Sequence, residues 1–313
     1  MNEPVGQTLA KGTSPQDRPP VAQVVIPARQ TVSWVVAIVL VLLVLGMAYV
    51  VITGGGVRWE EIPPYIFDPT ILSGVQLTLI FTFASMILAV IGGIILAVLR
   101  LSRNPVLANL SRLYIWFFRG TPLLVQIIFW FNIQLFVPHI AFGGFVLDMN
   151  SLVSPFTAAL LALSLNESAY MAEIIRGGLL AVDRGQAEAA TALAFTPAQT
   201  MRKIVLPQAL RVIVPPIGNQ TISMLKTTSL VSVVAAQDLL TRAQNIYARN
   251  FLIIELLIVA SLWYLVLTSI ASGIQYLIER RLSMSLGQDS ATAPSFRSLL
   301  GRAATFRFGG DGK

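Results

Sequence analysis

The 313-residue sequence contains no cysteine and a single histidine. The absence of thiols removes disulfides, thiolate metal sites and cysteine nucleophiles together, and one imidazole builds neither a multi-histidine metal site nor a catalytic triad. Charge is scarce as well: 12% of residues are Asp, Glu, Lys or Arg, against about 25% in soluble globular domains. No G-x-x-x-x-G-K-[ST] run occurs, so the chain has no phosphate loop of that kind with which to bind ATP. Internal repeats, paired catalytic carboxylates and other enzyme constellations are also missing.

Apolar residues make up 55% of the chain. Crossing a hydrocarbon core of about 30 Å takes about 20 mostly apolar helical residues. Six segments meet that test: 33–53, 71–99, 115–137, 155–175, 209–236 and 251–277. The first begins too late and runs too long for a cleaved signal peptide.

Basic residues tend to stay on the cytoplasmic side of the membrane. Most of the 22 Lys and Arg residues fall inside if both termini are cytoplasmic, whereas Arg58, Arg242 and Arg249 fall outside. The net charge of +7 is explained by this bias and by anionic lipid, without nucleic acid. The proline-rich start, to residue 32, and the Gly/Ser-rich end, 282–313, read as disordered cytoplasmic tails.

Within the spans, Ser85, Ala89, Gly93 and Ala97 form a small-residue stripe suited to close helix packing. The segment VPPIGNQTISMLKTTSLVSVV places Asn219, Ser223 and Lys226 on one helical face at i, i+4 and i+7, flanked by Gln220 and Thr227. A lysine at membrane depth costs roughly 2.5 to 3.5 kcal/mol on insertion scales, which favours a bundle interior or a wet cavity. The stripe can serve a substrate path or simply bond neighbouring helices. Pro215 and Pro216 should break this helix locally. Glu167 is a candidate for the same path, whereas Glu173 should pair with Arg176 three residues on. His139 has no partner at ligand spacing and reads as an interfacial residue.

Between the fourth and fifth spans lies a structured polar loop, 183–208. Asp183 with Gln186, and Thr196 with Gln199, are N-cap and N3 pairs that mark two short helices, with Pro197 at a first helical position and Pro207 ending the second. Ala189, Ala190, Leu193 and Ala194 are small or compact residues suited to entering a protein groove. A lipid anchor would use larger apolar groups.

The run from Ala169 to Val234, together with FFRGTPLLVQ from Phe117 to Gln126, resembles the membrane permease subunit of bacterial ABC importers for polar amino acids such as histidine, glutamate, glutamine, arginine and opines. The resemblance implies an all-α membrane protein with the type I ABC importer fold, about six transmembrane helices: a five-span core domain at 70–281 and an added helix at 33–53. It implies that Glu188, Ala189 and Ala190, with Leu193 and Ala194, form the coupling helix that docks on a cytoplasmic ABC ATPase dimer. ATP and Mg would be bound by that partner, and no cofactor by this chain. A second permease subunit, identical or paralogous, and an extracytoplasmic solute-binding protein complete the implied assembly in the bacterial inner membrane.

Two departures from the family pattern stand out. Ala194 lies close to a position where glycine is usual, although alanine is an ordinary helix residue. The usual Lys-Asp-Thr-Ser-Leu reads Lys226-Thr227-Thr228-Ser229-Leu230, so Lys226 must find its charge partner elsewhere, with Glu167 the expected one. The competing readings are an ion-coupled secondary transporter, with Glu167 titrating, and a membrane scaffold that moves nothing.

Overall fold

The computed structural model describes residues 30–142 and 145–284; both expected tails lie largely outside them. The chain forms two compact units, dividing at Val57 and Arg58. The first contributes helix α1, Gln30–Thr53.

The second unit is helical apart from one hairpin. A short helix, α2 (Ile62–Ile66), precedes α3 (Pro69–Arg100), which is followed by α4 (Pro105–Gly120) and α5 (Leu123–Phe131). Strands β1 (His139–Phe142) and β2 (Phe145–Asp148) pair antiparallel and lead through α6 (Met149–Leu152) into α7 (Pro155–Leu180). Next come α8 (Arg184–Ala192), α9 (Pro197–Thr200), α10 (Leu206–Thr227), α11 (Leu239–Asn250) and α12 (Ile253–Met284).

Helix starts are set by local chemistry. Asp68 accepts the Thr70 N–H at 2.7 Å and Pro69 occupies the first turn of α3, where its missing N–H costs nothing. Ser154 and Thr157 form a reciprocal capping box at the start of α7. At about 1.5 Å per residue, the 32 residues of α3 reach about 48 Å, more than a hydrocarbon core requires.

By length and apolarity α3, α7 and α12 qualify to cross a membrane, and the α4–α5 pair makes a fourth crossing if counted as one broken span. The apolar stretch of α1, Trp34–Val50, is shorter than the others, and Asn219, Gln220 and Lys226 lower the apolarity of α10. The expected continuous helix over 115–137 is corrected: the chain bends by 102° between α4 and α5. Pro122 disfavours helical backbone at the preceding residue, and Thr121 is extended, with φ −109° and ψ 143°. The span expected over 209–236 also changes character, because α10 ends at Thr227 and tightens into a 3₁₀ helix over Thr228–Val234.

The small-residue stripe performs the packing role read from the sequence. Ser85, Ala89, Gly93 and Ala97 are all buried on α3. A β-carbon on Gly93 would collide with the Met171 side chain and approach the Ala172 nitrogen to 3.0 Å, so glycine is what lets α3 and α7 touch backbone to backbone. The core around this seam includes Phe81, Ile127, Leu163, Met171 and Ile213.

Candidate functional site

Two regions carry the sequence candidates, the α8–α9 loop and a polar seam inside the bundle. In the loop, Asp183 caps α8 by accepting the Gly185 N–H at 2.7 Å, one residue earlier than the expected bond to Gln186. The second cap is as expected: Thr196 Oγ1 accepts the Gln199 N–H at 3.3 Å, and Gln199 Oε1 accepts the Thr196 N–H at 2.9 Å.

Helix α8 closes by folding its last carbonyls back on the chain. The Phe195 N–H donates to the Ala190 carbonyl and the Ala194 N–H to that of Thr191, both at 3.0 Å. These two bonds require a left-handed residue, usually glycine, at Ala194. Ala194 adopts φ +57°, so it lies beyond the helix as a strained terminator and is not the ordinary helical residue expected.

The expected docking residues divide. Glu188, Ala189, Leu193 and Ala194 are exposed, Leu193 by 74%. Ala190 is 1% exposed and turned into the loop, so its small size serves the loop's own packing rather than a surface. Lys203 lies over the Phe195 ring, with its ammonium 5.7 Å from the centroid.

Pro207 does not end the second helix. A π turn over Met201–Val205 carries α9 into α10, with the Leu206 N–H bonded to the Met201 carbonyl. The wider turn shifts the hydrogen-bond frame ahead of a proline that lacks a donor, so Pro207 sits in the first turn of α10. Nor do Pro215 and Pro216 interrupt α10, which runs through both.

The polar seam forms where the α4–α5 break meets α7 and α10. Asn166 Nδ2 donates to the Phe118 carbonyl at 2.8 Å and to Gln126 Oε1 at 3.2 Å. Gln126 Nε2 donates to Thr121 Oγ1 at 2.6 Å and to the Phe118 carbonyl at 3.1 Å. These amides satisfy carbonyls that the broken helix leaves open, which an apolar surrounding demands. Arg119 stands at the break with its guanidinium 5.0 Å from the Tyr170 ring. Sequence reasoning assigned no role to Asn166 or Gln126; the proline at 122 was the available signal that nearby carbonyls would need donors.

Glu167 is 8% exposed and accepts from Gln220 Nε2 at 2.9 Å, joining α7 to α10. The expected Glu167–Lys226 pair does not form. Lys226 is exposed near the end of α10, nearly two turns beyond Gln220, and shares an exposed face with Asn219 and Ser223. That face is turned away from this subunit's own core. Glu173 does pair with Arg176, at 2.9 Å, and also with Arg100 of α3 at 3.2 Å. His139 faces Asp148 across the hairpin, 3.8 Å from its carboxylate, a partner brought by strand pairing and invisible in sequence spacing. No metal-binding cluster occurs among the described residues.

Apolar spans, a capped polar loop and a polar face on one span describe a membrane-embedded transport subunit. The chain belongs to the family of binding-protein-dependent transport system inner membrane components, matched over residues 89–284. It is 43% identical over 256 residues to the arginine transport system permease protein ArgU of Corynebacterium glutamicum, covering 81% of each chain. It is 34% identical to the glutamine transport system permease protein GlnP of Escherichia coli, over 72% of this chain and 98% of that one. A crystal structure of an amino acid ABC transporter with histidines aligns with TM-score 0.62 and 36% identity, over 69% of this chain and 95% of that one. The methionine transporter MetNI, in an inward-facing form, shares the fold at 20% identity and TM-score 0.52. Membership in this family places ATP hydrolysis in a separate subunit and implies ATPase and solute-binding partners.

Proposed function

We propose that the chain is the permease subunit of an ATP-driven amino-acid importer, with both termini cytoplasmic and the α8–α9 loop docked on the ATPase. The observation that carries the docking assignment is the loop's exposed Leu193 beside Glu188 and Ala189, on a short helix whose ends are fixed by its own caps. A preformed helix of this kind enters a groove without paying for its ordering. Two permease subunits, identical or paralogous, would face each other across the exposed Asn219–Ser223–Lys226 stripe, which suits a polar path better than lipid.

The similarity to an arginine permease and the buried Glu167 together support a cationic amino acid as solute. Among the described residues no ion pair neutralises Glu167, and a buried carboxylate gains most from a cation brought to it.

Proteoliposomes holding the full complex test the reading. ATP-dependent uptake of arginine is expected. Uptake that continues without ATP on a proton gradient would favour the secondary-transporter reading, and no uptake under any condition would favour the scaffold. Glu167→Gln keeps an acceptor for Gln220 and removes the charge. Arginine uptake should fall about tenfold, equivalent to about 1.4 kcal/mol, with glutamine uptake less affected; an equal fall for both solutes would remove the charge argument.

A further inference from the structure

The α8–α9 loop is continuous with α7 on one side and, through the π turn, with α10 on the other. These two helices touch near the loop: a β-carbon on Gly178 of α7 would strike the Ile213 side chain of α10. Deeper along α10, a polar contact links it to α12. Gln275 is 7% exposed on a helix whose neighbouring residues Ile274, Tyr276 and Leu277 are exposed. Its Nε2 donates to the Pro215 carbonyl at 3.0 Å and to Glu279 Oε1 at 2.7 Å. Directly beneath the amide lies Gly218, where any β-carbon would overlap Gln275 Oε1 and Cδ. A polar side chain is therefore seated in a socket that glycine opens, on the carbonyl of the first of two consecutive prolines.

From this geometry we infer that Gln275 is a positioning residue that latches the proline segment of α10 to α12, so that displacement of the coupling loop carries α12 with it. The inference rests on the loop being the ATPase contact. Simple glue between helices would also account for the bond, but glue alone predicts loss of assembly or stability, whereas a latch predicts loss of coupling. With the latch cut, α10 can yield at Pro215 and Pro216, where missing N–H groups weaken the helix, and leave α12 behind.

The test measures solute imported per ATP hydrolysed by the complete complex in proteoliposomes. Gln275→Leu is expected to retain the ATPase on co-purification and most of its hydrolysis rate. Its import per ATP should fall about three- to tenfold, the range set by losing one interhelical hydrogen bond within a membrane. Should that variant fail to assemble, Gly218→Ala, which crowds the amide from its socket without removing it, decides by the same ratio. An unchanged ratio, or transport and hydrolysis falling in parallel, overturns the latch. A wild-type chain that does not retain the ATPase overturns the docking assignment as well.

Discussion

In the α8–α9 loop, Asp183 bonds two residues on, Thr196 and Gln199 bond across three, and Phe195 reaches back to Ala190. In the polar seam, Asn166 reaches Phe118 and Gln126 across 48 and 40 positions, and Gln220 reaches Glu167 across 53. The loop is fixed by its own chain, whereas the seam exists only once four helices have assembled. A change in the loop should therefore alter partner binding or local order and spare the bundle; a change in the bundle interior should lower the stability of the whole.

Gly93→Leu probes the second half of that contrast most severely. The new side chain has nowhere to go between α3 and α7, and the obstruction includes backbone as well as the Met171 side chain. Overpacking of this kind costs about 3 kcal/mol, and thermal denaturation of the detergent-solubilised chain should show it. Asn166→Leu is the next largest. It withdraws a donor from the Phe118 carbonyl and leaves Gln126 Oε1 without its Asn166 partner, at about 2 kcal/mol. Wild-type stability in either variant would mean that the bundle is not held as described.

Leu193→Asp probes the loop half. Leu193 is 74% exposed, so the subunit's own stability should not change. On the proposed docking, affinity for the ATPase should fall about tenfold, or about 1.4 kcal/mol, because a charge would replace an apolar residue in the groove. If instead the variant unfolds and binds normally when refolded, the loop and bundle are not independent in the way their hydrogen bonds indicate.

The same division of length scales explains what could be read from the sequence. Caps at Asp183 and Thr196, the buried stripe of α3 and the Glu173–Arg176 pair follow from spacings of two to four residues, and each is present. The 102° break was signalled only by one proline, in a run apolar enough to read as continuous helix. Pro207, Pro215 and Pro216 misled in the other direction. A π turn accommodates the first, and the pair lies in continuous helix with the Pro215 carbonyl taking a donor from Gln275 of α12, so local propensity was overridden by frame and tertiary contact. The Glu167–Gln220 bond depends on where distant helices settle, and the inward turn of Ala190 on how α8 folds against the rest of its own loop; neither is recorded in a spacing.

Ala194→Gly has the smallest expected effect and the opposite sign. In the left-handed region a β-carbon costs about 1 to 2 kcal/mol, which glycine avoids. Glycine also frees the unfolded chain, at a cost of about 0.4 to 1 kcal/mol. The first effect exceeds the second, so the loop should gain about 0.5 to 1 kcal/mol. That gain should be confined to the loop, because Ala194 closes α8 through bonds to Thr191 and, by way of Phe195, to Ala190. Amide exchange at Phe195 should slow about two- to fivefold while exchange in α3 and α7 stays as in the wild type. Slower exchange throughout the bundle would show that the loop's strain is shared with the spans, and faster exchange at Phe195 would show that the left-handed turn at Ala194 is not the one the chain adopts.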